Sequence, residues 1–204
     1  MLTRFLATAG ALALTTGLAL AQTTAPTAPT APGTAPATTA PATTAPAATG
    51  DVKDMKEWQA AKLAKVSLAD AIATAEKKDG NGRAIDADFE KADGKNPTHW
   101  SIKVVYPDGK LVEHGINADT GELYKSENQP IERYFTRLKV ADFNNAKVSL
   151  KDALAIAEKQ AGGGKAYEAE VEREGSAVAY EIKVALADNE KEVKVGPDGQ
   201  IMKD

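Results

Sequence analysis

Cysteine is absent from all 204 residues, histidine occurs only twice, and aromatic side chains make up 5%. Without cysteine the chain has no disulfide staple, no thiol nucleophile and no point for lipid attachment through an N-terminal cysteine. With only His99 and His114 it lacks the H-E-x-x-H pair of a zinc peptidase. On a hairpin turning around residues 107–110 the two histidines are on the order of 10 Å or more apart and point to opposite faces. His114 is therefore expected as a partly buried structural residue and His99 as a surface one. A large excess of charge of either sign is also missing, with 25 basic against 29 acidic side chains. That balance argues against a nucleic acid or an anionic membrane as partner and leaves proteins or peptides.

No segment after residue 20 is apolar enough to span a bilayer. The one apolar run, Phe5 to Leu20, follows a single Arg4 and ends in Ala19-Leu20-Ala21, the small-x-small pattern of a signal-peptidase site. Residues 1–21 are read as a cleavable export signal, with no stable membrane insertion after cleavage and a periplasmic or secreted destination. Residues 22–50 are almost wholly threonine, alanine and proline. Frequent proline fixes φ and removes backbone donors, so this stretch is expected to be a disordered, polyproline-like spacer of up to about 90 Å.

What is abundant in the rest is repetition. AKVSLADAIATAEK at Ala64–Lys77 returns as AKVSLKDALAIAEK at Ala146–Lys159. RAIDADFE at Arg83–Glu90 lies over KAYEAEVE at Lys165–Glu172, and WSIKV at Trp100–Val104 over YEIKV at Tyr180–Val184. Two copies therefore make up the globular part: 51–127 and 146–204, joined by 128–145.

Each copy opens with a helix cap. Ser67 and Ser149 are followed three residues on by Asp70 and Asp152, whose charge suits a helix N-terminus. Behind them Leu68, Ala71, Ile72 and Ala75, and likewise Leu150, Ala153, Leu154 and Ala157, form one apolar stripe at helical spacing. Glycines at 80, 82 and 162–164 stop the helices. The period then falls to two. Ile85, Ala87 and Phe89 alternate with Asp86, Asp88 and Glu90, and Tyr167, Ala169 and Val171 with Glu168, Glu170 and Glu172. Further strands carry Trp100, Ile102 and Val104, or Tyr180, Ile182 and Val184, and then Val112 and Ile116, or Val193 and Val195. Short last strands are expected at 122–125 and 200–203. The fold class is α+β: two tandem repeats, each a helix packed on a small antiparallel sheet of three to four strands. Between them Pro130 starts a helix whose stripe of Ile131, Tyr134, Phe135 and Leu138 is expected to pack the two copies together, with docking of an external partner as the second reading.

The order of pieces resembles the PepSY domain family. Its elements are a helix opening Val/Ile-Ser-Leu-x-Asp/Glu-Ala, a glycine break, an acidic alternating strand, a Tyr-x-Ile/Val-x-Val strand and a closing Asp-x-Thr-Gly-Glu hairpin. Copy one carries them as VSLADAIATAEK, GNGRAIDADFEK, HWSIKV and INADTGEL; copy two as VSLKDALAIAEK, GGGKAYEAEVER, AYEIKV and VGPDGQI, with its closing turn one residue shorter. The resemblance implies a non-enzymatic exported module that inhibits or regulates a peptidase or another envelope protein, with no cofactor.

The residues themselves assign no catalytic, cofactor or metal site. The expected interaction surface is the charged face of the sheets: Asp86, Asp88, Glu90 and Lys103 in copy one, Glu168, Glu170, Glu172 and Lys183 in copy two. Same-face carboxylates on one strand are nearly 7 Å apart, too far for a single calcium ion, so cross-strand pairing with Lys103 and Lys183 is the simpler expectation. Asn117, Asp119 and Glu122 could converge on calcium at a turn, though a hairpin explains them as well. The alternative function is a structural or cation-binding envelope protein.

Overall fold

Residues 52–203 are described by the computed structural model. They run through α1 (Glu57–Ala61), α2 (Leu68–Lys77), β1 (Arg83–Glu90), β2 (His99–Val105), β3 (Leu111–Asn117) and β4 (Leu123–Asn128), then α3 (Pro130–Phe135), α4 (Leu150–Ala161), β5 (Lys165–Glu174), β6 (Ala177–Ala185) and β7 (Glu190–Val195). The export signal and spacer expected at 1–50 lie outside the described residues.

The repeated serines behave as caps. Ser67 and Ser149 accept the N–H groups of Asp70 and Asp152, and the return bond from the Ser149 N–H to Asp152 completes a capping box in α4. Such a cap stabilises a helix by about 1 kcal/mol. The alanine-rich stripes of α2 and α4 are buried against one face of the sheet, and the narrow side chains let helix and sheet approach closely.

Each copy uses the same two ties from helix to sheet. Glu76 Oε1 accepts the N–H of Ala84, and Glu158 Oε1 that of Ala166, both at 2.9 Å. The Trp100 indole N–H donates to the Val66 carbonyl at 3.1 Å, and the Tyr180 hydroxyl to the Val148 carbonyl at 2.7 Å. Each tie therefore satisfies a polar group close to the core, at the start of the first strand or just before the helix.

All seven strands form a single antiparallel sheet in the order β4-β3-β2-β1-β5-β6-β7. The first strands of the two copies pair with each other, with Ala87 opposite Ala169, Asp86 opposite Glu170 and Asp88 opposite Glu168. Ala87 and Ala169 are equivalent positions, so the seam has the register of an approximate two-fold axis through that pair. Both alanines are essentially buried. Copy one completes its sheet with β4, whereas copy two ends, among the described residues, in a single bridge between Val195 and Ile201.

Two sequence expectations need correction, and one element was not expected. The strict alternation in the first strands is interrupted, because the register skips Ile85 in β1 and Tyr167 in β5. Each is a β-bulge, which re-aims one side chain. Tyr167 hydrogen-bonds Glu190, and Ile85 borders a groove with Asp86 and Leu138 instead of extending the helix-side row. The stripe of α3 does not pack the copies together. Ile131, Tyr134 and Phe135 are 79%, 86% and 73% exposed, and only Leu138, beyond the helix, is buried. The reason is length: the helix ends at Phe135 and Thr136 is extended, so Leu138 leaves the stripe, while the β1–β5 seam joins the copies. Finally, α1 went unforeseen. Its Trp58 is buried, and the helix packs near β1, β5 and β6.

Candidate interaction surface on the open sheet face

Both long helices lie on one face of the sheet. The side chains of the other face come from alternate strand positions, and the seam brings the two acidic strands side by side. Asp86 and Asp88 from β1 meet Glu168 and Glu170 from β5 in the middle of this face. Glu90 and Glu172 continue the two rows to opposite ends of the seam, as antiparallel pairing requires. All eight residues expected on the interaction surface thus belong to one face, and four of the six carboxylates are brought together. Glu113, Glu181 and Glu192 extend the acidic surface outward along β3, β6 and β7.

Lysines offset part of this charge. Lys103 lies 3.2 Å from Asp86 and 2.8 Å from Glu132 on α3, while Lys183 lies 2.7 Å from Glu168. Burial works against a charged Lys103, but bonding to Glu132 and Asp86 outweighs it and holds the ammonium above its usual range. The hydrogen bond to Glu168 likewise raises Lys183. Lys194 pairs with Glu181 at 3.0 Å. Partly exposed pairs of this kind contribute on the order of 0–1 kcal/mol each.

The carboxylates nearest the seam show the remaining field. Burial, bonding to Asp86 and the charges of Asp86 and Glu168 push Asp88 up to about 8. Asp88 is therefore largely protonated at neutral pH. Asp86 Oδ1 is buried without a hydrogen-bond donor. Glu170 is also raised, by burial first and then by Asp86, Glu172, Glu181 and Glu168. Among the described residues no three His, Asp or Glu side chains are grouped as a metal ion requires.

The remaining candidates resolve into structure. His114 is fully buried between Tyr106 and Ser126, whose hydroxyl oxygens lie 2.8 Å from Nε2 and Nδ1. Hydroxyls can donate or accept, so the neutral ring is satisfied in either tautomer, and burial lowers its pKa. His99 packs edge-on against Tyr124, 5.4 Å between ring centres. That ring covers Gly115 so closely that an added Cβ would come within 2.7 Å of it. Asn117 Oδ1 accepts the N–H groups of Asp119 and Thr120, Glu122 accepts the Thr120 hydroxyl, and Asp119 pairs with Lys65. These three close a turn.

Sequence reasoning missed Glu132, which brings α3 onto this face through Lys103. The only signal would have been the acidic first turn behind Pro130. It also missed the exposed Tyr134 and Phe135, whose spacing is that of a buried stripe.

The family described as peptidase propeptide and YPEB domain matches residues 65–127 and 147–195, more than half of the chain and both copies. The chain belongs to the PepSY family. PepSY domains are propeptide-type regulatory modules rather than catalytic ones. No curated protein matches the chain. The chain aligns with the crystal structure of a candidate lipoprotein from Clostridium difficile 630 at a TM-score of 0.41 and 22% identity, over 69% of this chain and 92% of the other. No helix among the described residues is long and apolar enough to cross a membrane.

Proposed function

We infer that this PepSY protein is an exported, non-enzymatic binding module that restrains or regulates a peptidase or another envelope protein through the open face of its sheet. In this reading residues 1–21 are removed on export, 22–50 form a spacer, and the repeats at 51–127 and 146–204, connected by 128–145, are the working part. The observation that carries it is the match of a peptidase-propeptide family to both copies. The geometry supports it: the helices occupy one face, and the other presents charged side chains from both copies as one surface. A single surface built from two copies engages a partner once over a large area, which differs from two tethered modules acting by avidity.

The test is a crosslinking pull-down of the tagged full-length protein from its own envelope, with secreted proteolysis measured in a deletion strain. Recovery of a peptidase together with altered proteolysis is expected. Recovery of no protein partner and unchanged proteolysis contradict the reading.

A further inference from the structure

Beside the seam, α3 holds three large apolar side chains in solvent within six residues. Tyr134 and Phe135 meet edge to face at 5.3 Å and form one aromatic platform. The platform is fixed in place. Lys103 pairs with Glu132 at 2.8 Å, Arg133 Nε donates to the Gly109 carbonyl at 2.6 Å, and Gln129 Nε2 donates to Glu113 at 2.9 Å. Exposed apolar groups held together and anchored in this way mark interaction sites more often than scattered ones do.

Against the platform runs a groove of about 480 Å³, bordered by Phe135, Ile85 and Leu138 and by Asp86, Glu170 and Glu172. Four carboxylates, Asp86, Glu132, Glu170 and Glu172, line it against two arginines, Arg137 and Arg173, so its lining is net acidic. Asp86 and Glu132 share Lys103 beside the groove, and Arg173 is held by Asp142 at 2.7 Å. Among the described residues Glu170 and Glu172 make no ion pair, and the acidic seam adjoins them. Carboxylates without a counter-charge beside an aromatic face are complementary to a cation on both counts. An ammonium or guanidinium can pair with Glu170 and Glu172 while its stem and flanking apolar residues cover Tyr134 and Phe135.

We propose that α3 and the adjoining end of the seam form a docking groove for a cationic amphipathic segment of the partner protein, one in which lysine or arginine alternates with apolar residues. This rests on the reading of the open face as a binding surface and names the chemistry of what binds there. The second copy of the chain and a purely anionic or apolar segment are the competing occupants.

The experiment uses the full chain and two labelled 12-residue probes, one of alternating lysine and leucine and one of alternating glutamate and leucine, followed by fluorescence anisotropy. The lysine probe is expected to bind and the glutamate probe not. Two double variants, Tyr134→Ser with Phe135→Ser and Glu170→Gln with Glu172→Gln, are each expected to weaken binding at least tenfold. Their circular dichroism and melting midpoint should be retained, because all four side chains are exposed. Equal binding of both probes, or binding unaltered by either double variant, overturns the proposal. So does a dimer in sedimentation that is lost in the Tyr134 and Phe135 variant, which would assign the platform to a second copy. If the lysine probe fails while crosslinking still captures a peptidase, only the groove falls and the proposed function stands.

Discussion

Replacing Asp88 by asparagine should stabilise the protein progressively as pH rises from about 4 to about 8, and leave it nearly unchanged below pH about 4. Burial and the neighbouring Asp86 and Glu168 push Asp88 up to about 8, against its usual 3.8. Because the folded value is the higher one, the native state holds more protons than the unfolded chain between those two values, and stability falls as pH rises through that window. About four units at about 1.4 kcal/mol each set a ceiling of roughly 6 kcal/mol. Asp88 keeps some contact with water, and Lys103 lies nearby, so a loss of about 1–3 kcal/mol by pH 9 is the realistic expectation. The asparagine side chain keeps the shape, carries no charge and offers an amide donor to Asp86. Urea unfolding at pH 5, 7 and 9 should show the Asp88→Asn variant gaining on the parent by that amount between the extremes. A difference that stays flat with pH, or that favours the parent at pH 9, would refute the account of the seam.

Other substitutions test the repeated architecture. Glu76→Ala and Glu158→Ala each leave a strand N–H without its acceptor and should cost about 1–3 kcal/mol, similar in the two copies, by chemical denaturation. Leu154→Ala removes a buried side chain of the α4 stripe and should cost about 2–5 kcal/mol in the same assay. His114, buried and held below its usual pKa, gives stability that is present above pH about 6.5 and lost as pH falls. The parent should therefore lose stability toward pH 5 by a component that is absent in His114→Gln, checked by melting midpoint against pH. Gly115→Val should lower the midpoint, because Tyr124 would have to leave the glycine it covers.

The two long helices and the strands were legible in the sequence because their signals are local. Serine caps, an alanine-leucine stripe and a change of period each act within about a dozen residues, and the duplication states them twice. The single sheet was not legible. The pairing of β1 with β5 depends on two edges meeting, and the alternation of Asp86, Ala87 and Asp88 fits a solvent-facing edge as well as a central strand. The bulges at Ile85 and Tyr167 escaped for a related reason, since an apolar residue fits either face at the border of the core. On the surface, the alternation put the eight charged residues on one face of their strands, but their convergence followed from the seam. At α3 the helical spacing of Ile131, Tyr134 and Phe135 described the helix and misdescribed its burial, which depends on whether another element comes to cover it.

The central claim is that partners engage the open sheet face. A photocrosslinking side chain placed in the full-length protein at Ser101 or Glu172 on that face, and at Ala155 or Lys159 on α4, reads this directly in the native envelope. Crosslinks to one protein from the sheet-face positions, with little from α4, are the predicted result. Crosslinks confined to the α4 positions would contradict it.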